Sequence, residues 1–196
     1  MSARPLPQDL AYDLFSALVE RHKGRPYHSW EHVARVVQVA RRLLSAGGQT
    51  TEDTDVVCIA AFYHDAVYET GANDNEWRSA EVAASDLERC CARGIGEVER
   101  LILLTQHHRT SENDFRGQAL IDADLEIFAA PATEYDAYAQ AIRREYHWVT
   151  DEAYAKGRAS VLQAFLDRPR IFFSPQLDEA RARANLRREL SRLESP

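Results

Sequence analysis

His64 and Asp65 stand side by side at the end of a run in which every residue from Val56 to Phe62 is apolar. An ionised carboxylate in such surroundings is costly unless it is paired or binds a metal, so the dipeptide asks for a cation. Taken alone, it equally describes a His and an Asp that cap a helix and bond each other. Other segments supply partners. His32 falls at the edge of the apolar face of a helix that follows the loop Gly24-Arg25-Pro26-Tyr27-His28. His28, just ahead of that helix, is free to point elsewhere, and each of these histidines taken singly also reads as a hydrogen-bonded residue near a surface. Asp124 lies near the centre of the face made by Leu120, Ile121, Leu125, Ile127 and Phe128, where packing gives a carboxylate no role. Asp122 falls with Glu126 on the opposite side and is expected in solvent or behind the ligands. His32, His64, Asp65 and Asp124 thus form a set of two imidazoles and two carboxylates drawn from three helices. Such donors suit Mn, Fe, Co, Ni, Zn or Mg, with one or two ions per chain, and leave positions open to water and substrate.

The elements that must position these residues follow from apolar spacing and punctuation. Helices are expected from Pro7 to His22, from a Ser29 cap to about Ser45, and through the apolar run, with Asp53 and Thr54 as candidate caps. Glu69 to Asn75 is too rich in Gly, Asn and Asp to be helical. Asp74 or Asn75 can cap a helix to about Cys90, and another runs from Gly96 to His107 or His108. On that helix His108 lies seven residues after Leu101, on the inner face, whereas His107 projects away. A helix containing Asp124 follows. Pro131 begins one with Tyr135, Tyr138, Ile142, Tyr146 and Val149 at spacings of three and four, and Arg143, Arg144 and Glu145 between them. Thr150-Asp151 caps the next, which stops before Pro169, and a last amphipathic helix follows Ser174-Pro175. With no alternating strand pattern and no internal repeat, the reading is an all-α bundle of eight or nine helices.

Composition bounds the rest. At 196 residues the chain is long enough for one domain with a sizeable core, read as about 25–130 with the helices of 131–196 packed on it. A net charge of -7 gives no general reason to bind a nucleic-acid polymer or an anionic membrane. Met1 to Asp9 carry no apolar leader, and no stretch reaches the roughly 18 apolar residues of a span. Three cysteines, Cys58 and the neighbours Cys90 and Cys91, fit reduced thiols. A cytoplasmic location is expected. The apolar remainder of the C-terminal helices serves a domain core or a homodimer interface alike. Gly47-Gly48 lacks the Lys-Ser/Thr of a phosphate-binding loop.

The order His, then His-Asp, then a distant Asp resembles the signature of the HD-domain phosphohydrolases. Tyr27-His28-Ser29-Trp30-Glu31-His32-Val33 is similar to an opening motif shared with cyclic-nucleotide phosphodiesterases, and Ala123-Asp124-Leu125 to the last family motif. Leu103-Leu104-Thr105-Gln106-His107-His108 resembles an element of an uncharacterised bacterial and fungal branch of predicted metal-dependent phosphohydrolases. That resemblance extends to Asp74-Asn75-Glu76 with Ser79-Ala80, Ile142-Arg143-Arg144-Glu145-Tyr146, Gly157-Arg158 and Asn185-Leu186, and so covers nearly the whole chain.

The resemblance implies an HD-like helical domain in which His32 is a ligand and His28 a proton donor. It implies metal-assisted hydrolysis of a small phosphorylated substrate, a nucleotide or a related ester. Asp65 would orient the attacking water or bridge to a second ion. His108 and Glu69 are candidates for a second metal or a phosphate contact. Arg143, Arg144 and Arg158 are the candidate substrate cations, although on geometry alone each reads as a solvated or helix-paired arginine. Two other readings stay open: an HD-type di-iron oxygenase, and a non-catalytic helical module with a structural metal.

Overall fold

The computed structural model describes residues 8–194; the expected helix start at Pro7 and the last two residues lie outside them. The described residues are all-α, with no strand. Nine α-helices occur among them: α1 (Gln8–Arg21), α2 (Trp30–Ala46), α3 (Thr51–Tyr63), α4 (Asn75–Arg89), α5 (Ile95–Leu104), α6 (Phe115–Leu125), α7 (Ala132–Glu145), α8 (Asp151–Leu166) and α9 (Glu179–Glu194). A short 3-10 turn, Glu126–Ala129, links α6 to the segment before α7. No helix among them is long and apolar enough to cross a membrane. Cys58, Cys90 and Cys91 are free thiols.

Helix starts follow local chemistry. Ser29 stands at the N-cap of α2, as its sequence context requires, but its hydroxyl donates to Glu31 and leaves the cap unmade. At α3 the cap is Thr50, not Asp53 or Thr54. Asp53 is the other half of a capping box: its amide donates to the Thr50 hydroxyl and its carboxylate accepts from the Thr50 amide, both at 3.1 Å. Arg116 of α6 donates to the same carboxylate, tying the start of α3 to the start of α6.

Apolar burial gathers in two clusters that share α6. Leu18, Val36, Leu43, Val57, Ala61, Leu101 and Ile102 pack with Leu120 and Ala123 of α6 in the first. Ile121 and Leu125, on the other side of α6, join Phe128, Tyr135, Tyr138, Leu162, Phe165 and Leu186 in the second. A helix with a core on both sides has no broad solvent face. This corrects the reading of Asp122: the side opposite Asp124 is not water. Asp122 is 1% exposed and accepts the amides of Phe173 and Ser174, fastening the α8–α9 connector to α6. Burial pushes its carboxyl up to about 6, against the pull of those amides.

α6 also starts under tight steric control. Asp114 caps it by accepting the Gly117 amide at 3.0 Å. A Cβ at Gly117 would run into the Asp114 carboxylate and lie 2.7 Å from Leu104 Cδ1 and 2.9 Å from Thr110 Oγ1. Gly117→Ala is therefore expected to destabilise by about 1–3 kcal/mol, although alanine favours helix by about 1 kcal/mol. A urea midpoint that rises in the variant would refute this crowding.

Candidate metal centre and cavity

The loop before α2 is held in place by Arg25, whose guanidinium donates to the Asp65 carbonyl at 2.6 Å and to the Ala66 carbonyl at 3.4 Å. This fastens the start of α2 to the end of α3, so that His32 in the first turn of one faces His64 at the C-cap of the other. His64 donates from Nδ1 to the Ala61 carbonyl at 2.8 Å, which turns Nε2 toward the partner helix. The two Nε2 atoms are 3.2 Å apart. Asp65 Oδ2 lies 3.4 Å from His32 Nε2 and 3.0 Å from His64 Nε2. Asp124 Oδ1, from the last turn of α6, lies 3.2 Å and 3.6 Å from the same two nitrogens. All four expected ligands are brought together.

The donors fit a divalent cation. Ligand atoms about 2.1 Å from an ion are about 3 Å apart along an octahedral edge and about 3.4 Å along a tetrahedral one. The observed spacings fall on these edges, and donor atoms of His32, His64 and Asp124 all lie within 4.8 Å of one another. The electrostatics agree. Burial opposes charge on His32 and His64, yet Asp65 and Asp124 overturn it and raise both imidazoles above the ordinary value. Burial would likewise raise the two carboxyls, and the histidines hold both well below the usual range. A partly buried pair of ionised carboxylates facing two buried imidazoles is an environment suited to positive charge.

His108 reaches the other oxygen of Asp124, Nε2 to Oδ2 at 2.8 Å. It arrives by a route that the helical wheel does not describe. α5 ends at Leu104, well short of His107 and His108, and the His108 amide closes on the Leu104 carbonyl with φ at +48°. Arg168 supports this corner by donating to the His107 and His108 carbonyls, both at 2.9 Å.

His28 is paired with Glu145, a residue that the sequence sets with Arg143 and Arg144 between the apolar positions of α7. The carboxylate accepts from His28 Nδ1 at 2.6 Å and from the amides of Tyr27 and His28 at 2.8 and 2.9 Å. Burial tends to raise the Glu145 carboxyl, but these bonds keep it below its ordinary value. The sequence did carry a signal for it: Glu145 lies three residues after Ile142 and seven after Tyr138, on the buried stripe. The His28 ring stacks on Tyr68, centroids 3.8 Å apart, and is 5.7 Å from the His32 ring.

The remaining candidates lie elsewhere. Glu69 is exposed and pairs with Arg78. Arg143 donates to the Tyr146 and Val149 carbonyls and to Asp151, closing the end of α7, and Arg144 faces solvent. Arg158 is largely covered, with its guanidinium engaged by Glu189 and the Tyr138 hydroxyl. Three other motif residues secure backbone. Asn75 exchanges bonds with the backbone of Glu69, Ser79 does so with Val67, and Asn185 donates to the Phe128 and Ala130 carbonyls.

Beside Asp124 and His108 opens a cavity of about 480 Å³, running between the loop at Tyr27 and His28 and the inner faces of α7 and α8. Trp148 donates from Nε1 to Thr70 Oγ1 at 2.8 Å, and a Cβ at Gly71 would lie 3.3 Å from its ring.

His22 is 1% exposed and contacts the His28 carbonyl through Nδ1, while its Nε2 has no partner. Burial lowers its pKa from 6.5 to about 4. A depressed folded value means that the unfolded chain takes up the proton first, so stability present above pH 6.5 is lost as pH falls toward 4. The loss between pH 7 and pH 4.5 is expected to be roughly 2–3 kcal/mol. Chemical unfolding of wild type and His22→Phe at the two pH values checks this. Equal acid losses in the two proteins would assign the effect elsewhere.

Compared with models of known protein families, with curated proteins and with solved structures, the chain matches none.

Proposed function

We propose that this chain is a metal-dependent phosphohydrolase of the HD-domain type, acting on a small phosphate ester. The observation that carries the reading is the convergence of two imidazole nitrogens and two carboxylates next to a His28–Glu145 pair, at the end of a cavity large enough for a substrate. A divalent cation held by His32, His64, Asp65 and Asp124 supplies Lewis-acid polarisation of the phosphoryl group and a water acidified toward neutrality. The other roles fall to side chains. As the oxygen of water bonds to phosphorus, the ester O–P bond breaks and its electron pair stays on the leaving oxygen. His28 gives that oxygen a proton, so that alcohol and phosphate leave together. Glu145 engages Nδ1 of the ring and leaves Nε2 as the donor atom. Asp65 orients the water.

The test is nitrophenolate release from p-nitrophenyl phosphate and bis-p-nitrophenyl phosphate, using chelator-treated protein restored singly with Mn, Co, Ni, Mg or Zn. Metal-dependent release is expected, reduced at least about 100-fold in Asp65→Ala, since even losing a residue that supports a ligand costs 10–100-fold. The His108 contact on the second oxygen of Asp124 is the one observation favouring a di-iron oxygenase instead. Oxygen uptake by iron-loaded protein, with no phosphate released under any metal, would select that reading.

A further inference from the structure

The cavity differs in character from the centre it adjoins. Tyr68, Phe128, Tyr138, Tyr146, Val161 and Phe165 are among the residues that line it. Among the described residues that line it, Arg158 is the one permanent cation, and Glu189 takes both its Nε and an Nη. The Tyr138 hydroxyl accepts from the same guanidinium. A second phosphate or a carboxylate would therefore meet here no permanent cation that is not already paired with a carboxylate, which is unfavourable for a charged group. An apolar ring meets the opposite conditions, because aromatic walls bind flat apolar groups by area and by ring packing.

Gly157 points the same way. It sits in the middle of α8, where glycine weakens a helix, and it lines the cavity. A Cβ built on it meets nothing within 4 Å. The missing side chain leaves this part of the α8 face open where it lines the cavity.

We infer that the site takes esters with a single phosphoryl group on a largely apolar, ring-bearing alcohol, and discriminates against nucleoside diphosphates and triphosphates and against short polar phosphates. This rests on the phosphohydrolase reading for the phosphoryl end and on the cavity alone for the alcohol end.

The experiment has a hydrolysis arm and a binding arm. In the first, manganese-loaded protein is given 2-naphthyl phosphate, glycerol 3-phosphate and ADP, and phosphate release is measured. kcat/KM for the naphthyl ester is expected to exceed the other two by at least about 100-fold, the scale on which apolar contacts discriminate. In the second, 2-naphthylphosphonate, whose C–P bond is not hydrolysed, is titrated into wild type, Gly157→Ala and Gly157→Phe. Circular dichroism verifies that each variant is folded. Binding by wild type and Gly157→Ala is expected, with affinity at least tenfold weaker in Gly157→Phe, where the added ring occupies that open space. If the phosphonate binds with this pattern while no ester is cleaved, the phosphohydrolase reading fails and the ligand class of the cavity stands. If ADP or glycerol 3-phosphate is cleaved as efficiently as the naphthyl ester, or a folded Gly157→Phe binds the phosphonate as tightly as wild type, the inference is overturned.

Discussion

Adding a divalent cation to the metal-free protein is expected to raise its unfolding midpoint by roughly 8–16 °C, and His64→Ala is expected to abolish that rise. In the absence of metal, folding brings the Asp65 and Asp124 carboxylates together with two buried imidazoles in a partly buried site. A cation that binds the folded state and not the unfolded chain stabilises by about 4 kcal/mol at a thousandfold excess over Kd, and each kcal/mol moves the midpoint of a chain this long by about 2–4 °C. His64 is the most informative ligand to remove. It is 1% exposed, its Nδ1 satisfies the Ala61 carbonyl, and its Nε2 faces His32, Asp65 and Asp124 together. The variant itself will lose stability from the void and the orphaned carbonyl, so the readout is the difference between metal-free and metal-loaded protein, not the absolute midpoint. Asp124→Asn, which keeps the shape and removes the charge, should lose most of the same response. A full metal-induced shift in both variants would place the cation outside this set.

His28→Ala should lower kcat by about 10²–10⁴-fold while leaving the metal-induced shift in midpoint intact. The separation of the two readouts is what distinguishes a proton donor from a ligand, and loss of both together would contradict the role assigned here. Glu145→Gln probes the same pair from the other side. A glutamine retains one oxygen for the amides of Tyr27 and His28 but turns an NH₂ donor toward His28 Nδ1, which then has to accept. The ring is left without the carboxylate that orients it, and a fall of about 10–100-fold in kcat is expected. Because Glu145 acts through His28, the double variant should be no slower than His28→Ala alone. An additive double variant would mean that the two residues work independently.

What could be read from the chain was governed by contrast. His64 and Asp65 were conspicuous because they interrupt an apolar run, and the helical wheel chose Asp124 over Asp122 because Asp124 lies among Leu120, Ile121 and Leu125. The same wheel failed for Asp122, since it assumes one dry side, and α6 has two. His108 was selected on a helix that stops at Leu104; the residue does reach the site, but through a turn whose path depends on Arg168, sixty positions away. Glu145 was masked by Arg143 and Arg144 before it, as two exposed-looking charges make a third look exposed. The cavity left no linear trace. It exists because α7 and α8 face the loop at Tyr27 and His28, and single-helix periodicity carries no information about which helices will be neighbours.

The sharing of α6 between both apolar clusters bears on how the chain comes apart. A helix whose Leu120 and Ala123 belong to one cluster and whose Ile121 and Leu125 belong to the other cannot leave either without opening both. Asp122, clasping the amides of Phe173 and Ser174 on the far side, makes the connector between α8 and α9 part of the same mechanical unit. Concerted melting is therefore expected, and a lesion in the last third of the chain is expected to loosen α6 at Asp124.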